Sequence, residues 1–347
     1  MNKDDTKMVQ GLSVLAMVCL HLFCRIDWAD FYATPVMLLG LPVSFYFAQI
    51  SDFCVFGFAL CSGYAHWTLY GKEHFYRRRL VSLFALYGRF WLIMLLFTLA
   101  AVCLGQGGLL LRNPFGYFFS YTSLIAIYNG AWWYLPVYAV LVLGSPLLMK
   151  LCRKYHWLIV SLLIAVCYVG GYYFRFKKVF TPSVYFSTSS IGAFFMTLAE
   201  YLFGAVLGRL CFFEKAKAAA QKISPVLFWL GSAVLVAGLA FVRAQYLRTL
   251  FIAPLTGMII ITILVAGRKP KPVRAFFLFF GKHSTNIWLT HMFFYHTLFV
   301  GLVFKAKYPP LIYAFMMVLC LALSYGIDLL YHPIQKKILK LNNVAKV

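Results

Sequence analysis

A histidine stands inside the first long apolar stretch of this chain, Lys7-Met-Val-Gln-Gly-Leu-Ser-Val-Leu-Ala-Met-Val-Cys-Leu-His-Leu-Phe-Cys-Arg25. An ionisable group in a segment long enough to cross a bilayer is costly unless it is paired or put to use. Neutral imidazole, with an ordinary pKa of about 6.5, is the side chain best matched to removing a hydroxyl proton near neutral pH. Burial in a low-dielectric bundle disfavours imidazolium and keeps such a base available. Steps of three and four residues hold to one helix face, so Lys7, Gln10, Val14, Met17, His21 and Arg25 form a single polar-studded stripe. Lys7 and His21 are separated by roughly 21 Å of helix at 1.5 Å per residue, which sets the imidazole at or beyond mid-membrane.

Three further stretches carry chemistry-bearing residues. Cys54-Val-Phe-Gly-Phe-Ala-Leu-Cys-Ser-Gly-Tyr64 ends in Ser62-Gly63 and leads into Phe75-Tyr-Arg-Arg-Arg-Leu80. Ala131-Trp-Trp-Tyr-Leu-Pro-Val-Tyr138 opens another apolar run, and Phe280-Gly-Lys-His-Ser-Thr-Asn-Ile-Trp-Leu-Thr-His291 a later one. Arg77 to Arg79 and Lys282 can hold phosphate charge, since guanidinium forks and ammonium groups match phosphate oxygens. Each feature also has a plainer role. His21 or His291 would serve as an interhelical hydrogen-bonding group, the arginine run as a topology anchor, Ser62-Gly63 as a close-packing point, and Trp132 and Trp133 as interfacial anchors.

Composition decides which elements must position these groups. Of 347 residues, 63% are hydrophobic and only 12% charged, against about a quarter charged in soluble domains. With a mean hydropathy of +0.82, this is the composition of a polytopic membrane protein. The net charge of +23 does not indicate nucleic acid, because the basic residues fall in short runs between apolar segments, as topology signals and lipid-headgroup contacts do. Nine cysteines are scattered singly, with no Cys-x-x-Cys pair and no histidine at ligand spacing, so neither a metal nor a disulfide framework is expected. The basic start lacks a small-x-small cleavage site, so the first stretch is expected to remain as the first helix.

Windows of about twenty apolar residues predict an all-α membrane helix bundle of about ten transmembrane helices, near 8–24, 44–69, 80–104, 132–149, 156–174, 189–212, 225–242, 249–266, 285–304 and 309–332. There is no internal repeat and no charged stretch long enough for a second domain, so residues 1–347 read as one integral membrane domain. With both termini cytoplasmic, 22 of the 32 lysines and arginines lie in inner segments, nine in outer ones, and Arg89 within a helix. That bias favours this orientation. Asp52, Arg89, Glu200 and Asp328 lie in or near apolar segments and need partners. The connection near 105–131 is aromatic instead of charged, which suits an interfacial belt or a segment that re-enters the bundle as part of an acceptor site.

In their order and spacing these stretches resemble the bacterial acyltransferase-3 family of integral membrane O-acyltransferases, in the form without a fused extracytoplasmic esterase-like domain. The resemblance covers nearly the whole chain. It rests on a basic residue and a histidine separated by ten residues in the first helix, the Ser-Gly pair ending the second, and the basic cluster after it. To these it adds the Trp-Tyr-Leu segment and Gly-x-His-Ser followed by Ile-Trp-Leu-x-His. Two places depart from the pattern. Gln10 occupies the basic position, with Lys7 one turn earlier as the candidate substitute, and Arg77-Arg78-Arg79 stands where the family has Arg-x-x-Arg.

The resemblance implies transfer of an acyl group, usually acetyl, from cytoplasmic acetyl-CoA as co-substrate to a hydroxyl of a surface carbohydrate or its lipid-linked precursor, in the bacterial cytoplasmic membrane. His21 matches the essential histidine and would be the general base. His291 would orient His21 or the substrate, and Trp133, Asn286, Ser62 or the Gly63 N–H would face the oxyanion. Lys7, Gln10, Arg77, Arg78, Arg79 and Lys282 would contact coenzyme A. No Ser-His-Asp order or nucleophilic cysteine motif is present, which favours direct attack over an acyl-enzyme. Expected partners are acyl-CoA, a carbohydrate acceptor and membrane lipids. Two other classes stay open on the sequence. One is a transporter of a small solute or an acyl or glycan intermediate, and the other a non-catalytic component of an envelope assembly.

Overall fold

Within hydrocarbon every backbone N–H and C=O needs a partner inside its own segment, and this chain supplies those partners with helices. The computed structural model describes residues 1–25, 31–108, 113–124, 126, 128–181 and 187–340. In order, the helices are α1 (Lys3–Phe23), α2 (Val43–Ile50), α3 (Cys54–Leu69), α4 (Phe75–Cys103) and α5 (Pro114–Ser120). They continue with α6 (Tyr134–Leu143), α7 (Ser145–Lys154), α8 (Trp157–Tyr172), α9 (Thr188–Arg209) and α10 (Phe212–Ala220). The last are α11 (Pro225–Gln245), α12 (Ala253–Ala266), α13 (Lys271–Met292), α14 (Val300–Phe304) and α15 (Pro309–Lys340). A two-residue antiparallel pairing, Met37–Leu38 with Leu41–Pro42, is the strand structure among the described residues.

Eight spans are long and apolar enough to cross a membrane, counting α2, the 3-10 turn Ser51–Phe53 and α3 as one. The family of all-α, multi-pass membrane bundles is therefore the observed fold. A ninth candidate is the pair formed by Gly130–Leu143 and α7, bent by 60° at Gly144, where the sequence predicts a single helix over 132–149. The window at 285–304 is not one helix either. α13 starts fourteen residues earlier and ends at Met292, followed by the π turn Phe293–Thr297 and the five-residue α14. Apolar averaging joined the last turns of α13 to α14 across the π turn, and stopped at the polar stretch 281–286 in the middle of α13, through which the helix continues.

The described chain forms two compact units interleaved in sequence. The first holds Met1–Thr68, Met149–Ser284 and Lys307–Tyr313; the second holds Leu69–Leu148, Thr285–Ala306 and Ala314–Val347. Lipid tails are as apolar as leucine, so close backbone approach and polar pairing decide which helices pack in such units. In the first unit α3 and α9 meet at two glycines: a Cβ on Gly63 would lie 1.8 Å from the Tyr201 carbonyl oxygen, and one on Gly204 2.2 Å from that of Leu60. Around this contact Met8, Val9, Phe56, Leu60, Cys61, Tyr64, Ile261 and Val265 form a buried core. Asp52, in the 3-10 turn before α3, pairs with Arg243 of α11.

α1 begins with a capping box, Asn2 and Asp5 each accepting the other's backbone N–H at 2.8 Å. Asp4 pairs with Arg274, Asp5 with Lys217 at 2.5 Å, and the terminal ammonium with Glu214 at 2.6 Å. Acidic residues in a first turn also suit the helix dipole.

In the second unit α4 is the scaffold. The aromatic connection folds back along it: Tyr117 Oη lies 3.0 Å from Thr98 Oγ1, the Trp91 indole donates to Tyr121 O at 2.8 Å, and Tyr87 pairs with Ser123 at 2.8 Å. Tyr87 precedes Cys103 by sixteen residues, roughly 24 Å of helix. The segment thus runs far down α4 instead of lying at its end. Residues 109–112, 125 and 127 of this connection lie outside the described residues.

Candidate active site

The stripe on α1 is turned inward over its middle. Val14 and Met17 are 0% and 5% exposed, and the Gln10 Oε1 is buried with no hydrogen-bond partner among the described residues. The reason is the approach of α13. A Cβ on Gly11 would lie 2.0 Å from the Phe277 carbonyl oxygen, and one on Gly281 2.1 Å from that of Lys7. Only glycine at both places lets the two backbones touch. Lys7 Nζ then donates to Gly281 O at 3.4 Å, and Lys282, the next residue, is exposed. The structure therefore brings Lys7, Gln10 and Lys282 together at one crossing.

His21 sits in the last turn of α1, half-buried, followed by the fully packed Leu22 and Phe23. The helix closes through Cys24 N–H to Leu20 O at 2.9 Å, and Gln49 donates to Cys24 O at 3.3 Å. Residues 26–30, immediately beyond, lie outside the described residues. Next to the crossing are two further polar groups of the Gly-Lys-His-Ser stretch. His283 is 1% exposed with its ring 5.0 Å from that of Phe279, and Ser284 Oγ donates to Gly281 O at 2.9 Å. Their signal was the Gly-Lys-His-Ser order itself.

Ser62 Oγ donates back to Phe58 O at 2.9 Å, and the Gly63 Cα fills the α3–α9 contact. The close-packing role of this pair is the one the coordinates display.

The second unit carries the other residues. Arg77, Arg78 and Arg79 stand in the first turns of α4, whose N-cap His74 has left-handed backbone and makes no side-chain cap, with no acidic residue in the first turn. Three cations at the positive end of a helix dipole favour an anion nearby; Glu73, directly before the N-cap, is paired with His74 at 2.8 Å. The Arg79 Nε is buried with no hydrogen-bond partner among the described residues.

Asn286, 1% exposed, accepts from Arg89 at 2.8 Å and donates to Ser324 Oγ at 2.8 Å and Asp328 Oδ1 at 3.0 Å. Arg89 also binds Asp328 at 3.1 Å and Gln335 Oε1 at 3.0 Å. Sequence reasoning had flagged Arg89 and Asp328 as needing partners, and they are each other's. The Asn286 amide is thus engaged inside a network.

His291 is fully buried, its Nδ1 2.9 Å from Trp288 O, which holds the ring along its own helix. Trp133 is half-buried, its ring 5.9 Å from that of Tyr134. The neighbouring Trp132 is the more deeply set, its indole donating to Leu289 O at 3.0 Å and its ring 4.8 Å from Phe90.

α1 thus carries a polar crossing with α13 toward its start and a half-buried histidine in its last turn. Residues 7–329 match the family model described as an acyltransferase domain, Acyl_transf_3. The chain belongs to the acyltransferase-3 family. No curated protein and no solved structure matches it. The match spans both interleaved units and includes Lys7, Gln10, His21, Arg77 to Arg79, Trp133, Lys282, Asn286 and His291. Among the described residues no group of three or more His, Cys, Asp or Glu side chains is placed to hold a metal ion.

Proposed function

We propose that this membrane acyltransferase moves an acyl group, in the first instance acetyl, from a coenzyme A thioester to a hydroxyl of a cell-surface or lipid-linked carbohydrate, with His21 as general base. The observation that carries the reading is the inward-turned stripe of α1, with Lys7 and the buried Gln10 oxygen toward one end and His21 at the other.

In this reading the acceptor hydroxyl oxygen attacks the thioester carbonyl carbon while His21 takes its proton. The tetrahedral intermediate collapses as the C–S bond breaks, and the proton returns to the departing sulfur. The products are the carbohydrate ester and free coenzyme A. Direct attack fits four of the cysteines, Cys54, Cys61, Cys152 and Cys320, which are buried, whereas catalytic thiolates sit in accessible, cationic surroundings; Cys103 and Cys211 are exposed, and no nucleophile motif surrounds either of them in the sequence.

The donor's phosphates are assigned to Lys7, Lys282 and Arg77 to Arg79. Arg79, with its unoccupied Nε, is the strongest of the arginines. Trp133 and His291 are assigned supporting roles at the acyl group and the acceptor. Both chain ends are placed on the cytoplasmic side of a bacterial cell membrane, from the distribution of basic residues.

The test is transfer of radiolabelled acetyl from acetyl-CoA to membrane carbohydrate by cells or vesicles carrying the protein. His21→Gln is expected to lower transfer by at least about a hundredfold, the usual span for a general base, with unchanged expression and helical content. Undiminished transfer by a folded His21→Gln protein overturns the assignment.

A further inference from the structure

The first unit contains a chamber that the acyl-transfer reading does not use. Its volume is about 370 Å³, within the range of about 300–1,000 Å³ typical of small-molecule sites. On α8, Ser161, Ile164, Ala165 and Tyr168 line it at helical spacing; α9 adds Ala199, Glu200 and Phe203, and α12 adds Pro254, Leu255 and Met258. The wall is apolar except for the Glu200 carboxyl and the hydroxyls of Tyr168 and Ser161. Glu200 is 8% exposed, and its Oε2 accepts no hydrogen bond among the described residues. Arg175, toward the end of the same span as Tyr168, is within electrostatic reach of the carboxyl.

The mouth shows where an occupant comes from. Phe251 and Leu255 are 53% and 60% exposed, and Ala165 is exposed, all on spanning helices or the turn leading into one. The opening therefore faces sideways among apolar side chains, where acyl chains of a bilayer lie. Inside, an oriented carboxyl oxygen asks for one hydrogen-bond donor. A bare cation would bring the larger desolvation cost into such a chamber, and a neutral hydroxyl the smaller.

We propose that this chamber is a binding site for a lipid alcohol, a long-chain molecule whose hydroxyl donates to Glu200 Oε2 while its chain lies along Phe203, Phe251 and Met258. None of the proposed acyl-transfer residues lines this chamber, and the proposal stands whether or not His21 is the base.

The experiment uses the full chain purified in detergent and a diazirine-bearing C18 alcohol as probe, with oleyl alcohol and octadecene as competitors. Crosslinks are expected on peptides from α8, α9 and α12, with oleyl alcohol competing roughly tenfold better than octadecene, about what one hydrogen bond to a charged or polar acceptor supplies. Glu200→Leu should remove that preference while leaving chain binding. Ala165→Phe, at the exposed mouth and harmless to folding, should reduce labelling of these three helices with either variant background. Equal competition by alcohol and hydrocarbon overturns the proposal, as does labelling that Ala165→Phe leaves unchanged. His21→Gln labelled like wild type is the expected sign that the two sites are independent.

Discussion

Gly281 and Lys7 approach so closely that a methyl group on Gly281 would sit 2.1 Å from the Lys7 carbonyl oxygen. With Gly11 against Phe277 O one turn away, this contact fixes the height of α13 on α1. It therefore fixes where Lys7 and Lys282 stand relative to the rest of the stripe.

Both contacts are with backbone, which cannot swing aside as a side chain can. Gly281→Val and Gly11→Val should therefore each cost at least about 1–3 kcal/mol, the usual range for overpacking, and lower the thermal midpoint of the purified protein. Gly231→Ala, on α11 with nothing within 4 Å of its Cβ, should leave the midpoint unchanged or raise it slightly. Equal midpoints for Gly281→Val and Gly231→Ala would show that the crossing is not tight.

The Arg89 network gives a second expectation. The Arg89 and Asp328 side chains are 14% and 31% exposed, so the pair is largely withdrawn from solvent. Removing one partner of a buried pair costs about 3–5 kcal/mol because the other charge is stranded, and the partial exposure of Asp328 places Arg89→Leu toward the lower figure. Arg89→Lys keeps the charge, but a single ammonium cannot reach Asn286, Asp328 and Gln335 together. It should fall between wild type and Arg89→Leu in a proteolysis or thermal-unfolding series. A lysine variant as weak as leucine would mean that fork geometry, not charge, holds the network.

The order of these effects explains what the sequence could reveal. The stripe on the first helix was legible because four ionisable or amide groups, Lys7, Gln10, His21 and Arg25, stand out against an apolar run and share a period. Arg89, Asp328, Asp52 and Glu200 were each visible as charges in need of a partner, whereas Arg243, the partner of Asp52, read only as a basic residue of an outer connection. The pairing itself was not visible, since Arg89 and Asp328 are 239 residues apart and only the fold brings them together. The close-packing role of Gly63 was readable from its small size, its reciprocal Gly204 from nothing local. The helix expected at 285–304 failed for a different reason. Hydropathy averages apolar content, whereas α13 is set by the contact of Gly281 with α1, so its polar stretch at 281–286 is as helical as the apolar residues on either side. The chamber at Glu200 needs residues from α3, α8, α9 and α12, spread from Phe56 to Met258, and no window along the chain contains it.

The Tyr168 and Glu200 chamber adds a stability expectation apart from ligand binding. Glu200→Gln keeps the shape and an acceptor oxygen while removing the possibility of a buried charge. Removing an unsatisfied buried ionisable group is neutral or stabilising when shape is kept. Glu200→Gln should thus unfold at the same temperature as wild type or higher in detergent without added lipid. A clear fall in midpoint would mean that the carboxylate is held by partners inside the fold and is not waiting for one.

The last expectation concerns pH. Glu214, on α10 outside the spanning helices, is partly buried, which works against ionisation. Hydrogen bonds from the terminal ammonium, from its own backbone N–H and from the Tyr64 hydroxyl outweigh that and hold its carboxyl below the ordinary 4.5. A folded-state pKa below the unfolded one means the unfolded chain binds more protons in that window. The stabilisation is then complete above about pH 4.5 and is lost as pH falls from there through the folded value. The side chain is 54% exposed, so solvent screening keeps the effect small. Wild type should melt above Glu214→Gln at pH 7, and the gap should narrow steadily once the pH drops below 4.5. A gap of constant size across that range would mean that the ammonium and Tyr64 stabilise the neutral side chain equally well, and the ion pair contributes nothing.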